Sequence, residues 1–306
     1  KEESVLILPF FYLHLLKPNK KYMKTINSLS GGKTSSYIAA NYPADYDVFS
    51  LVRTNDTSCM FPDPKIRQVV SDRIGKEFIG TLEMDDIIYT MLDLEQYIGR
   101  KITWLTGDSF EDMIKKYKMK KGGYYLPNKM TRYCTTDLKT KPIAEWRHNN
   151  IKDDVIMNFG YRANEMNRAK KMQEKLNDNG YTEVKIIVGK SDNGRNKWKT
   201  IEYCRPGFPL IKDNIYKDTI EQFWKDKPVR FAYMNNCVGC WWRSPLLLKK
   251  MSNKSPNKMQ YFSDLEELAG STFRSDVNYK EIISWQTQIE LFDEDFNECD
   301  SGYCGL

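Results

Sequence analysis

This sequence predicts a three-layer α/β fold: a doubly wound, mostly parallel sheet followed by a small, cysteine-rich C-terminal region. Three observations carry that expectation. From Met23 onward, short apolar runs alternate with amphipathic segments, which is how strand–helix units read. Four of the seven cysteines, Cys237, Cys240, Cys299 and Cys304, fall near the end of the chain. A chain of 306 residues that is 41% apolar and 29% charged is also long enough to bury a sizeable core.

The elements follow in order. Lys24 to Leu29 reads as a strand, Thr34 to Asn41 as a helix and Tyr46 to Arg53 as a second strand. Lys65 to Ile74 is a predicted helix, Glu77 to Thr81 a strand, Asp85 to Tyr97 a helix and Ile102 to Leu105 a short strand. The Gly/Pro/Lys-rich stretch Tyr117 to Lys129 predicts a surface loop. After it come a helix over Thr136 to Arg147, an apolar strand over Asp154 to Gly160, and another strand over Glu183 to Val188. Ser191 to Lys199 reads as a polar loop and Asn214 to Trp224 as a helix. The expected divisions are an N-terminal appendage over 1–22, an α/β domain over 23–230 and a helical, cysteine-containing region over 231–306.

Composition narrows the chemistry. The only histidines are His14 and His148, which excludes His-rich metal sites and mechanisms that need several imidazoles. A net charge of +6 suits an anionic ligand without demanding nucleic acid. An odd number of cysteines in a chain of this size reads as reduced thiols of a cytoplasmic protein. The apolar run Val5 to Leu16 contains Pro9 and is shorter than the roughly 20 residues a membrane span needs, so no membrane association is expected.

The most informative segment is Ser30-Gly31-Gly32-Lys33-Thr34-Ser35, which lies between the first strand and the first helix. Paired glycines let main-chain N–H groups approach an anion, and the helix that follows points its positive end at the same place. A Walker A loop would require glycine at position 27, which is Asn27. Two more segments stand out: Arg132 to Pro142, with Cys134 and Lys139, and Gly160 to Arg168, with Arg162 and Glu165 at the end of a strand. In an open parallel sheet all three would converge beyond the carboxyl ends of the strands. Arg162 and Arg168 suit bidentate phosphate or sulfate contacts, and Glu165 suits orienting one of them or holding Mg²⁺. Asn55 follows the second strand as a further nucleotide-side candidate, and Arg132 and Lys139 are candidates for binding substrate.

The 30–36 segment resembles the SGGxDS pyrophosphate-binding loop of the PP-loop, or adenine nucleotide alpha hydrolase-like, superfamily. Thr34 stands where that pattern has Asp. The other two segments are similar to the R-x-C-T-x-x-x-K-x-x-P and G-x-R-x-x-E-x-x-R segments of the phosphoadenosine phosphosulfate reductase-like family. The resemblance implies a PP-loop fold, binding of ATP or an adenylyl sulfonucleotide with Mg²⁺, and adenylation of a substrate for sulfur transfer. The alternatives are reduction of a sulfonucleotide by a cysteine thiolate and non-catalytic nucleotide or nucleic-acid binding. Lys33, Arg162 and Cys304 are the expected catalytic residues, and a sulfur donor or thiol reductant is the expected partner.

Cys237-Val238-Gly239-Cys240 is a C-x2-C knuckle, and Cys299 with Cys304 supplies two more thiols. Four thiolates fit Zn²⁺ or a [4Fe-4S] cluster, and spacing does not separate the two. Cys134 is an alternative ligand, since iron–sulfur members of the resembled family use a Cys-Cys pair at that segment, where this chain has Cys134-Thr135. The family's C-terminal E-C-G-I/L-H nucleophile corresponds to Tyr303-Cys304-Gly305-Leu306 without its Glu and His, so Cys304 reads as a ligand first and a nucleophile second. Basic clusters at Lys115 to Lys121 and Arg168 to Lys175, and around Trp198, leave a nucleic-acid substrate open.

Overall fold

The computed structural model describes residues 23–286. Its centre is a six-stranded sheet built from β1 (Met23–Leu29), β2 (Tyr46–Leu51), β5 (Ile102–Thr106), β6 (Asp154–Asn158), β7 (Thr182–Lys190) and β8 (Asn196–Gly207). A separate antiparallel pair joins β3 (Arg53–Thr54) to β4 (Gly80–Thr81). The order across the main sheet is β5-β2-β1-β6-β8-β7, with every pairing parallel except β7 with β8. Successive strands leave β1 in one direction through β2 and β5, and the chain then crosses back to place β6 on the other side of β1. The gap between β1 and β6 is therefore the point where strand order reverses, the usual crevice of such sheets.

Alternating side chains put helices on both faces. On one face, Leu29, Phe49, Leu51 and Trp104 pack with helices Lys33–Asn41, Pro64–Ile74, Asp86–Ile98 and Lys217–Trp224. On the other, Ile26, Val48, Val155 and Met157 pack with helices Lys141–Asn150 and Met166–Gln173. Inside the sheet, Asn27 is fully buried and ties three strands together. Its Nδ2 donates to Asp47 Oδ1 at 2.8 Å, and its Oδ1 accepts from Asn158 Nδ2 at 2.8 Å. Arg100 caps this row on Asp47 at 2.9 and 3.1 Å. A buried polar row with its partners supplied fixes register as well as stability.

Helices Pro245–Lys254, Pro256–Ala269 and Tyr279–Ser284 follow the sheet. Their core is shared with earlier parts of the chain: Phe262, Phe273 and Tyr279 bury against Val52, Leu82, Phe110 and Leu138. Among the described residues no helix is long and apolar enough to cross a membrane.

Three expectations need correction. The strand over Glu77 to Thr81 shrinks to Gly80–Thr81 and pairs outside the main sheet. The polar loop expected over Ser191 to Lys199 is shorter than expected: a turn at Ser191–Arg195, with Gly194 at φ 76°, leads straight into β8 from Asn196. Its solvated residues carry no apolar alternation, so periodicity does not reveal it. The helix over Thr136 to Arg147 is interrupted by a π-turn at Thr136–Thr140. Pro142 has no N–H to give the Leu138 carbonyl, which instead accepts Ser50 Oγ at 2.8 Å.

Candidate functional site

The 30–35 loop is braced on Ser35. Ser30 N–H donates to Ser35 Oγ at 3.2 Å, and Ser35 Oγ donates to the Gly32 carbonyl at 3.1 Å. Gly31 sits at φ 79°, a conformation that favours glycine, and a Cβ there would fall 2.5 Å from Ile87 Cγ2. At Gly32 a Cβ would fall 2.3 Å from Asn235 Nδ2. Helix Lys33–Asn41 begins at Gly32 without a side-chain cap, so its first N–H groups face the loop's concave side.

A cavity opens there, between the ends of β1 and β6. Its lining includes Ser30, Gly32, Thr34 and Ser35 from the loop, Gly160 from the turn after β6, and Lys139 from the π-turn. Gly160 abuts the helix start, and a Cβ on it would meet Thr34 Cγ2 at 3.3 Å and Ser35 N at 3.7 Å. The two glycine-containing turns that the sequence singled out therefore meet face to face.

A second cavity adjoins the first and shares Lys139 with it. It is lined by Cys134, Cys237, Cys240, Arg132, Trp241 and Trp242, among others. Gly239 lets the knuckle lie flat on Phe262, since a Cβ would come within 2.4 Å of that ring. Lys139 is held from below by Glu83, which is fully buried, at 2.9 Å. The other Glu83 oxygen has no hydrogen-bond partner among the described residues. Glu83 also bridges Cys237 through its main chain, so one residue braces both cavities.

Two guanidiniums stand near the thiols. Arg132 lies 5.1 Å from the Trp242 ring, and its buried Nε and Nη2 have no hydrogen-bond partner among the described residues. Arg243 is 1% exposed, and its Nη2 donates to the carbonyls of Asn235 at 2.5 Å and Cys237 at 3.2 Å. Its Nε and Nη1 are likewise without a hydrogen-bond partner. Buried cations with N–H groups left over favour an anion beside them.

Other candidates sit differently. The Lys33 ammonium pairs with Glu221, its carbonyl accepts from Trp224 Nε1 at 2.9 Å, and Lys33 is not among the residues lining the loop cavity. Glu165 is taken up by Arg162 at 3.2 Å and Arg168 at 2.6 Å. That triad, with Arg162 and Glu165 buried and Arg168 half-buried, lies beside the cavity, while its neighbours Gly160 and Tyr161 form part of the wall. Asn55 is held by Arg53 at 2.8 Å and lines neither cavity. Cys299 and Cys304 lie outside the described residues. Among the described residues no three His, Cys, Asp or Glu side chains converge closely enough to hold a metal ion.

Asn235, Asn236, Tyr203, Glu83 and Arg243 are site neighbours that the sequence reading did not select. One signal was present, the Asn-Asn pair just before the knuckle: Asn236 adopts φ 69°, a left-handed turn position that Asn tolerates better than most residues.

What the fold and site define is an α/β protein with a loop-lined cleft at the carboxyl ends of its parallel strands. An uncharacterized protein of Methanocaldococcus jannaschii is 31% identical over 119 residues, 37% of this chain. The match covers 23% of that relative's length. No family model matches the chain. No solved structure matches it either.

Proposed function

We propose that this chain is a PP-loop-type enzyme, similar to the phosphoadenosine phosphosulfate reductase-like family, that binds ATP and adenylates a substrate ahead of sulfur transfer. The observation carrying this reading is the cavity at the β1–β6 reversal, lined by Ser30, Gly32, Thr34 and Ser35 and closed by Gly160. Uncapped N–H groups and hydroxyls there suit the β- and γ-phosphates, with Mg²⁺ balancing charge. A substrate oxygen attacks the α-phosphorus, the bond to the bridging oxygen breaks, and pyrophosphate leaves with the electron pair. The substrate is left as an AMP ester, and any proton on its oxygen passes to solvent. Lys139, at the junction of the cavities, places a cation beside the reacting end.

The cysteine cavity supports a thiolate-bound centre, Zn²⁺ or an iron–sulfur cluster, held by Cys134, Cys237 and Cys240. Support comes from three thiols lining one cavity, which must draw together from their described positions to share a metal, and from the unmatched N–H groups of Arg132 and Arg243. Such a centre would supply net negative charge to those cations and a site for a sulfur ligand.

Labelled ATP with Mg²⁺ and cell-extract acceptors tests the enzyme reading. Pyrophosphate release that is lost on closing the loop with Gly32→Val supports it. Sulfite release from a sulfonucleotide without pyrophosphate replaces it with the reductase, and nucleotide binding with neither product replaces it with a binding protein. Anaerobic purification with metal and sulfide analysis tests the centre: iron with sulfide, or zinc, is expected at one centre per chain and is lost in Cys237→Ser. A metal-free chain that stays folded overturns it.

A further inference from the structure

The β7–β8 pair is anchored to the sheet only by the end of β8, where Arg205, Pro206 and Gly207 pair with β6. Its other end, Ile187 to Lys190 facing Asn196 to Trp198, is a two-stranded ribbon, and 192–200 is exposed throughout. Between positions 185 and 200 the ribbon carries Lys185, Lys190, Arg195, Lys197 and Lys199 against a single carboxylate, Asp192. None of these five cations makes a salt bridge among the described residues. Trp198 lies among them, 47% exposed, with the Lys141 ammonium 5.2 Å and the Lys185 ammonium 5.9 Å from its ring centre.

Helix Lys141–Asn150 adds Arg147 to the positive surface, with Lys152 just beyond it, and one carboxyl, Glu145, which accepts the Ile187 main-chain N–H. The His148 pKa is lowered first by burial and then by Lys152, Lys199 and Arg147, so the ribbon and the helix share one field. That surface borders the loop cavity: Lys139 and Thr140, just before Lys141, line it, as does Tyr203 further along β8.

We propose that this ribbon binds single-stranded nucleic acid through its unpaired cations and Trp198, leading a polynucleotide to the mouth of the loop cavity as the substrate to be modified. Rows of cations track a phosphate backbone, and an aromatic set among them offers its face to a base. The exposed apolar side chains of the ribbon are only Val188 and Trp198, too few for insertion into a lipid surface. The substrate role rests on the nucleotide-enzyme reading, whereas the binding itself does not.

The test is fluorescence anisotropy with a labelled 20-mer oligo(dT) and oligo(U), without ATP, across a salt series. Expected are affinity falling with salt, quenching of tryptophan fluorescence, and about a tenfold or greater loss in Trp198→Ala. A Lys190→Gln, Arg195→Gln, Lys197→Gln triple variant is expected to flatten the salt slope by about 0.7 for each phosphate contact removed. Both variants should keep wild-type thermal unfolding and ATP binding, since neither alters the loop cavity. Unchanged affinity in both variants overturns the proposal. So does equal competition by polyglutamate, which would mark an acidic protein partner, and so does preference for duplex with no effect of Trp198→Ala. If wild-type protein binds the oligonucleotide but not ATP, the loop-cavity reading fails and the ribbon stands; the reverse result removes the ribbon alone.

Discussion

The two adjoining cavities are built on opposite principles. The loop cavity is made by main chain and small side chains, with Gly32 and Gly160 keeping it clear, Gly31 packing tightly on Ile87 behind it and Ser35 bracing it. The cysteine cavity is walled by large groups, Trp241, Trp242, Phe110 and Phe262, with cations at its edge. In the first, recognition lies in space and in N–H groups present at almost any sequence that forms the turn. In the second, it lies in particular side chains, the thiols and the guanidiniums beside them. A site of the first kind breaks when an atom is added, and one of the second kind when an atom is taken away.

The largest expected effect follows from that contrast. Gly31→Ala adds one carbon where Ile87 Cγ2 would stand 2.5 Å away, at φ 79°. Gly75→Ala is the matched control: φ is 64° and nothing lies within 4 Å. The control isolates the cost of a left-handed alanine, about 1–2 kcal/mol. Gly31→Ala should cost a further ~1–3 kcal/mol from overpacking, measured by denaturant unfolding, and, on the proposed function, weaken ATP binding measured by calorimetry. Equal effects at the two positions would show that the loop tolerates the added carbon.

Next comes the strut between the cavities. Glu83→Gln leaves Lys139 facing a neutral partner at the junction, and Lys139→Met leaves a fully buried carboxylate behind. Each single change is expected to cost about 3 kcal/mol, whereas the double variant should recover much of that loss. Additive costs would mean that the pair is not coupled.

How legible this was in the sequence follows the same division. The strand–loop–helix at 23–41 and the strand-end turn at Gly160 could be read because local pattern alone forms them, and they meet where strand order reverses. Lys33 could not be placed the same way: its direction depends on Glu221, 188 residues away. Glu83 was invisible for a similar reason, since a carboxylate after a two-residue strand reads as surface until the Cys237 segment folds over it. β8 was missed because its free half is solvated on both faces and so carries no strand period.

The smallest expected effect separates the sheet from the helical core by the sign of its pH dependence. Glu266 is 7% exposed in helix Pro256–Ala269, and its carboxylate accepts N–H groups from Phe273 at 2.9 Å and Tyr279 at 2.7 Å. Burial outweighs those bonds and raises its pKa. A raised folded pKa gives stability that is fully present below the unfolded carboxyl value and lost as pH rises through the folded one. Asp45, beside β1, is the opposite case. Burial would raise it, but Lys24 at 2.8 Å and the Thr25 main-chain and side-chain donors prevail and lower it. Its contribution is present above the unfolded value and disappears as pH falls through the lowered one. The Asp45 effect is partly screened by solvent and should stay below about 1 kcal/mol. Denaturant unfolding from pH 3 to pH 7 should therefore show the stability gap between wild type and Glu266→Gln shrinking as pH rises, and the gap between wild type and Asp45→Asn growing. If both gaps moved in the same direction, the helical core would not hold its carboxylate against desolvation as the structure describes.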